Sequence, residues 1–207
     1  VDYAEREGIA AAILRDAGQG DDEPVRLARL VIAHLGSRAT EYLLGLRHDA
    51  ELTHIHDEWR IRVRHCLPLE RRIFAIAHEL AEWWLRVREC YAADDVEDVA
   101  NYIAAAIVAP ARAFQRAVVA LGHDLPALSD AFRVTETCAA LRLGEVLHVP
   151  LAVITPRCVR VRGPEAWVWP DEETLRQWAQ GRWVPRLRRT KLTDSQGRIV
   201  LNAQDVN

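Results

Sequence analysis

Residues 78–82 read His-Glu-Leu-Ala-Glu. On a helix, His78 and Glu82 lie four positions apart, so their side chains leave the same face one turn from each other. That spacing lets two ligands share one divalent ion. Glu79 sits about 100° round the helix from His78. In hydrolytic zinc sites a carboxylate at that place is the general base that deprotonates the attacking water. The familiar form of the pattern is H-E-x-x-H; here the last residue is glutamate. Further on, Glu97-Asp98-Val99-Ala100-Asn101 places another acid, with an amide one turn beyond it. A catalytic zinc site takes three protein ligands and keeps one open position. His78, Glu82 and Glu97 supply three. Asn101 is a candidate to hydrogen-bond the free imidazole nitrogen of His78. The competing reading is plain surface chemistry: Glu82 has Arg86 at i+4, an ordinary helix ion pair, and Glu79 faces solvent.

The elements that must position these residues follow from hydrophobic period. Residues 69–91 carry Ile73, Ile76, Ala77, Leu80, Trp84 and Val87 on one broad apolar face, which predicts an amphipathic helix. A second helix, over 95–108, is built of small residues (Ala100, Ala104, Ala105, Ala106) and stops near Pro110. Small side chains allow close helix approach, which makes this helix central. Upstream, Trp59, Ile61 and Val63 alternate with Arg60, Arg62 and Arg64, the period of a half-exposed hairpin strand. Strands are expected over 40–46 and 50–56, with a turn at Asp57-Glu58. Helices are expected at 2–18, 25–35 and 111–121, with two short ones over 125–147. From residue 151 on, strands, a helix at 171–180 and a final hairpin are expected. Helix, sheet, helices, sheet in that order define the α+β class.

Taken together these motifs resemble the ImmA/IrrE metallopeptidase family. That family's pattern is an alternating strand, then R-x-x-F-x-x-A-H-E-L-x-H, then E-x-x-A-N-x-F-A-x-x-L-L-x-P, then F-x-V-S and a downstream R-L. The chain offers Trp59–Arg64, then Arg71 through Leu80, then Glu97 through Pro110, then Phe132-Arg133-Val134-Thr135 and Arg142-Leu143. The resemblance implies a small antiparallel sheet packed on a zincin-like helical core. It also implies a cytoplasmic zinc-dependent peptidase of a protein substrate, for some members a helix-turn-helix repressor. By motif match His78 and Glu97 are metal ligands and Glu79 the general base. Glu82 departs from the pattern. It adds one negative charge to the donor set and favours harder metals, so manganese is the alternative to zinc. A catalytically degenerate module on the same fold, binding a partner protein or nucleic acid, is the second reading of the same departure.

Composition sets the frame for these motifs. Of 207 residues half are apolar and 28% charged, with a formal net charge of −3, a globular balance. No run of 18 uncharged apolar residues suggests a membrane span, and acids come too early for a secretory signal. Methionine is absent, even at position 1, so the start residue is expected to be missing. The four cysteines (Cys66, Cys90, Cys138, Cys158) form no C-x-x-C pair and read as reduced thiols. Charge divides the chain: residues 157–207 hold ten basic and six acidic side chains, against a net −7 in the first 156. Nucleic-acid contact by this basic segment is the less favoured reading; packing on the acidic body is preferred. The organisation expected is an N-terminal helical extension (1–23), a metallopeptidase-like domain (24–150) and a basic β-rich appendage (151–207).

Other candidates are weaker. His54 and His56 share a strand face but lack a third ligand. Glu145 and His148 have an E-x-x-H spacing without the second such pair that a di-iron site needs. Residues 126–147 look like a helix-turn-helix, yet the second helix is apolar where a DNA reader is polar. The tryptophans read mostly as core, with Trp83 or Trp84 a candidate to line a partner groove. His65 precedes the metal helix, and its distance from the site is open.

Overall fold

A computed structural model describes residues 3–88, 96–149, 151–154, 159–162, 171–179, 190–193 and 199–202. Two helices open the chain, α1 (Tyr3–Asp16) and α2 (Leu27–Leu35), followed by β1 (Thr40–Leu43), β2 (Ala50–Ile55) and β3 (Glu58–Arg64). Five helices follow: α3 (Leu69–Val87), α4 (Val96–Val108), α5 (Ala111–Leu121), α6 (Leu125–Phe132) and α7 (Glu136–Val146). The C-terminal part contributes β4 (Leu151–Ile154), β5 (Val159–Arg162), α8 (Glu172–Ala179), β6 (Thr190–Thr193) and β7 (Ile199–Asn202). The class is α+β, as the order of periods predicts.

α3 and α4 form the centre. Ala77, Ala81, Ala100 and Ala104 are all fully buried, so small side chains stand on both helices where they pack. Val87, expected on the apolar face of α3, is half exposed at the helix end. The chain from 89 to 95, including Cys90 and the polar break, lies outside the described residues.

The first sheet has the order β1-β3-β2. β2 and β3 pair antiparallel, Ala50 opposite Val63 and Leu52 opposite Ile61. The two-residue turn is His56-Asp57, both at positive φ (50° and 62°), one residue earlier than expected. Such a turn matches the right-handed twist of the flanking strands. The sheet is mixed and not wholly antiparallel: β1 runs parallel to β3, Thr40 opposite Ile61. Two chain reversals, β1 to β2 and β2 to β3, return β3 to the direction of β1, so its insertion beside β1 makes a parallel pair. Alternation of side chains reports faces and not neighbours, which is why the sequence could not distinguish the two.

One face of this sheet is apolar, with Ile61 and Val63 fully buried. The other is a ladder of charge pairs: Arg60 with Glu41 and Glu58, Arg62 with Glu41 and Glu51, Arg64 with Asp49. Cross-strand pairs of opposite sign add a few tenths of a kcal/mol each and hold the register that sends Ile61 and Val63 inward.

α7 is buried along most of its length, so it has no free face to enter a DNA groove. Thr135 caps it by accepting from Cys138 N–H at 3.2 Å. Arg142 on α7 is fully buried. Its Nε donates to Ala109 C=O at 2.8 Å, its Nη2 to Glu7 at 3.0 Å and its Nη1 to Glu145 at 3.3 Å. A buried guanidinium needs that many acceptors to offset its lost hydration.

The second sheet has the order β5-β4-β7-β6, antiparallel throughout. A strand expected at 166–169 lies outside the described residues, as do Cys158, Trp167, Trp169 and Trp183. No single helix among the described residues is long and apolar enough to cross a membrane.

Candidate metal centre

α3 carries His78, Glu79 and Glu82 across one turn, and one ligand atom from each lies within 4.8 Å of the others. Glu97, in the first turn of α4, faces them: its Oε2 is 3.4 Å from His78 Nε2. Packing of α3 on α4 therefore brings Glu97 to His78, at the edge of the group of three. Their exposures differ sharply. Glu79 is 7% exposed, while the side chains of His78, Glu82 and Glu97 are 12%, 14% and 72% exposed.

Asn101 serves Glu97 and not His78. Its amide nitrogen donates to the Glu97 carbonyl at 2.9 Å and to the Glu97 carboxylate at 3.3 Å. The i+4 spacing that suggested a partner for the imidazole instead turns the amide back along its own helix. His78 Nδ1 is buried and has no hydrogen-bond partner.

Glu79 titrates well above an ordinary carboxylate. Burial is the main cause and the Glu82 and Glu97 charges the next, and together they push its pKa up to about 7. A backbone hydrogen bond from Leu52 and the charge of Arg86 oppose the rise without cancelling it. Desolvation beside like charges is how proteins bring a carboxylate into the neutral range.

These groups line a cleft of about 880 Å³ between α3, α4, α7 and strand β2. Its floor is the acidic cluster; Arg71, Arg86 and Arg160 also line it. β2 forms the rim. Arg64 N–H donates to Asp49 C=O at 2.9 Å, so by alternation Glu51 and Thr53 point their backbone groups at β3. Ala50, Leu52 and His54 point theirs outward; of these, Ala50 and Leu52 line the cleft. The Trp59–Arg64 strand offers no edge to an extended substrate, because β3 is the central strand and both its edges are paired. Alternation in 58–64 was legible; its place between two neighbours was not.

Of the remaining candidates, His54 packs on Trp59, ring centroids 4.6 Å apart. Glu145 lines the cleft, but its carboxylate is engaged by Arg142, and His148 packs on Tyr3 at 4.5 Å. Trp83 and Trp84 both contact His34, and neither they nor His65 line the cleft.

A divalent cation fits the residues present. An imidazole nitrogen and carboxylates converge there, a nitrogen-oxygen donor set suited to a divalent ion.

A histidine and acids on two packed helices thus stand beside the edge of a small sheet in an α+β fold. The sequence profile of the IrrE N-terminal-like domain, a peptidase family, matches residues 31–144. The chain belongs to that family. A transcriptional regulator of Mycobacterium tuberculosis superposes with a TM-score of 0.59 at 21% identity, over 94% of this chain and 77% of that one; the likeness is one of fold. No curated protein is a match.

Proposed function

We propose that the chain is a metal-dependent peptidase acting on a protein substrate in the cytoplasm. His78, Glu82 and Glu97 hold the cation, zinc in the first instance and manganese as the alternative. Buried Glu79, beside these donors in an open cleft that all of them line, is the observation that carries this reading. When bound, the cation supplies Lewis acidity toward the scissile carbonyl.

The chain's own residues do the rest. A carboxylate with a pKa near the working pH accepts a proton from the attacking water and then releases it to the leaving amine. Glu79 is such a group. Apart from the Leu52 N–H, which Glu79 takes, the outward N–H and C=O groups of β2 orient the substrate as an added strand. In keeping with the family resemblance, the substrate is a regulatory protein such as a helix-turn-helix repressor.

The test is incubation of a candidate repressor with the wild type and with Glu79→Gln. Cleavage by the wild type alone is expected; equal cleavage by both removes Glu79 from the reaction. The second reading, a non-catalytic binding module, is favoured by one observation: Glu82 is already engaged by Arg86. It predicts that the wild type binds its partner without cutting it, and that Glu82→His gains cleavage.

A further inference from the structure

We propose that Arg86 is a positioning residue of the metal centre. Its guanidinium, paired with Glu82 one turn away, offsets the charge that Glu82 brings where the family pattern has histidine. This rests on the reading of His78, Glu82 and Glu97 as cation donors.

Glu82 is the one departure of the chain from its family's metal motif, and the departure has an electrostatic consequence. A neutral imidazole becomes a carboxylate, in a site that already holds Glu79 and Glu97. Arg86 Nη2 donates to Glu82 Oε1. Glu is N-terminal to Arg at i,i+4, the favourable order on a helix. A guanidinium keeps its proton at every accessible pH, so Glu82 and Arg86 together present the net charge of one neutral histidine. A carboxylate has two oxygens and about four acceptor sites. Arg86 engages Oε1 and leaves Oε2 for a cation.

The environment separates this pair from an ordinary surface bridge. The Glu82 side chain is 14% exposed and that of Arg86 is 54% exposed. The acid is therefore held at the cleft floor while the base covers it from the solvent side. Both residues line the cleft. Among the described residues, Arg86 is the arginine in an ion pair with any of Glu79, Glu82 and Glu97. The other cleft arginine with a described ion pair, Arg71, is bound to Asp49.

The effect has a definite sign. Without Arg86, the donor set is more negative by one charge and Glu82 has no competing partner, so a cation binds more tightly. The same excess charge reduces the Lewis acidity that the reaction draws on, so turnover falls. Tighter cation binding with slower turnover is a combination that simple loss of a surface bridge does not produce.

The experiment is a competition titration of the full chain against a chromophoric chelator, with zinc and then manganese. The proteins are the wild type, Arg86→Gln, Arg86→Lys, Glu82→Gln and the Glu82→Gln/Arg86→Gln double variant. Circular dichroism checks that each is folded. Arg86→Gln is expected to bind zinc roughly three- to tenfold more tightly, Arg86→Lys to stay near the wild type, and the gain to shrink by at least half without Glu82. Unchanged affinity in Arg86→Gln, or an equal gain with and without Glu82, overturns the assignment of Arg86 while leaving the cation site standing. Failure of the wild type to bind either cation, with His78→Ala no different, overturns the metal reading and this inference with it.

Discussion

Arg142 and Glu7 stand 135 positions apart in sequence and meet as a two-pronged ion pair inside the protein. The guanidinium belongs to α7 and the carboxylate to α1. Tyr102 of α4 adds a hydroxyl to the same carboxylate at 3.3 Å. α1 therefore packs as part of the body that holds α3 and α4, and its acid, with Glu145, satisfies the buried charge of Arg142.

Removing one partner of a buried pair costs about 3–5 kcal/mol, because the other charge is left without compensation. Glu7→Ala is expected at the lower end of that range, since Glu145 remains beside Arg142 at 3.3 Å. Urea denaturation at neutral pH reads the loss directly. A variant within about 0.5 kcal/mol of the wild type would mean the pair contributes nothing net.

Metal-free protein should carry a pH signature from Glu79. Its folded-state pKa, about 7, is raised above the reference 4.5. Below pH 4.5 the group is protonated in both states. Between 4.5 and 7 the unfolded chain ionises first, so the folded form holds the extra proton and loses relative stability as pH rises. Above 7 the loss is complete, at most about 3 kcal/mol. In chelator, Glu79→Gln is expected to lack this decline and to exceed the wild type in stability at pH 8. Parallel stability–pH curves for the two proteins would refute it.

Cation binding should stabilise the folded state by mass action. At 100 times the dissociation constant the gain is about 2.7 kcal/mol, or roughly 5–10 °C in Tm for a chain of this size. Zinc added to chelator-treated wild type is expected to give that shift, and His78→Ala to give none. A shift of the same size in His78→Ala would place the cation elsewhere.

Much of the site was legible because helical spacing is local physics. His78, Glu79 and Glu82 are fixed relative to one another by the 3.6-residue repeat, and the Ala-rich pattern of 100–106 marked α4 as the helix packed against them. What the sequence withheld is long-range. The parallel pairing of β1, the bond between Glu7 and Arg142, and the role of β2 as rim all depend on which elements become neighbours. Asn101 shows the limit at short range as well. Its i+4 spacing sets it one turn from Glu97, and the amide donates there rather than to His78.

The open edge of β2 supplies the last test. Ala50, Leu52 and His54 direct their backbone groups away from β3, so a proline at 54 removes a donor from the edge without breaking a bond of the β2–β3 ladder. His54→Pro is expected to stay folded, with loss of only the ring contact between His54 and Trp59. Its zinc titration should match the wild type, because no donor to the cation changes. Cleavage of an extended protein segment should fall at least tenfold, through KM more than kcat, since an added strand loses one of its anchoring bonds at the edge. Unaltered KM in a folded His54→Pro would show that substrate enters the cleft without pairing to β2.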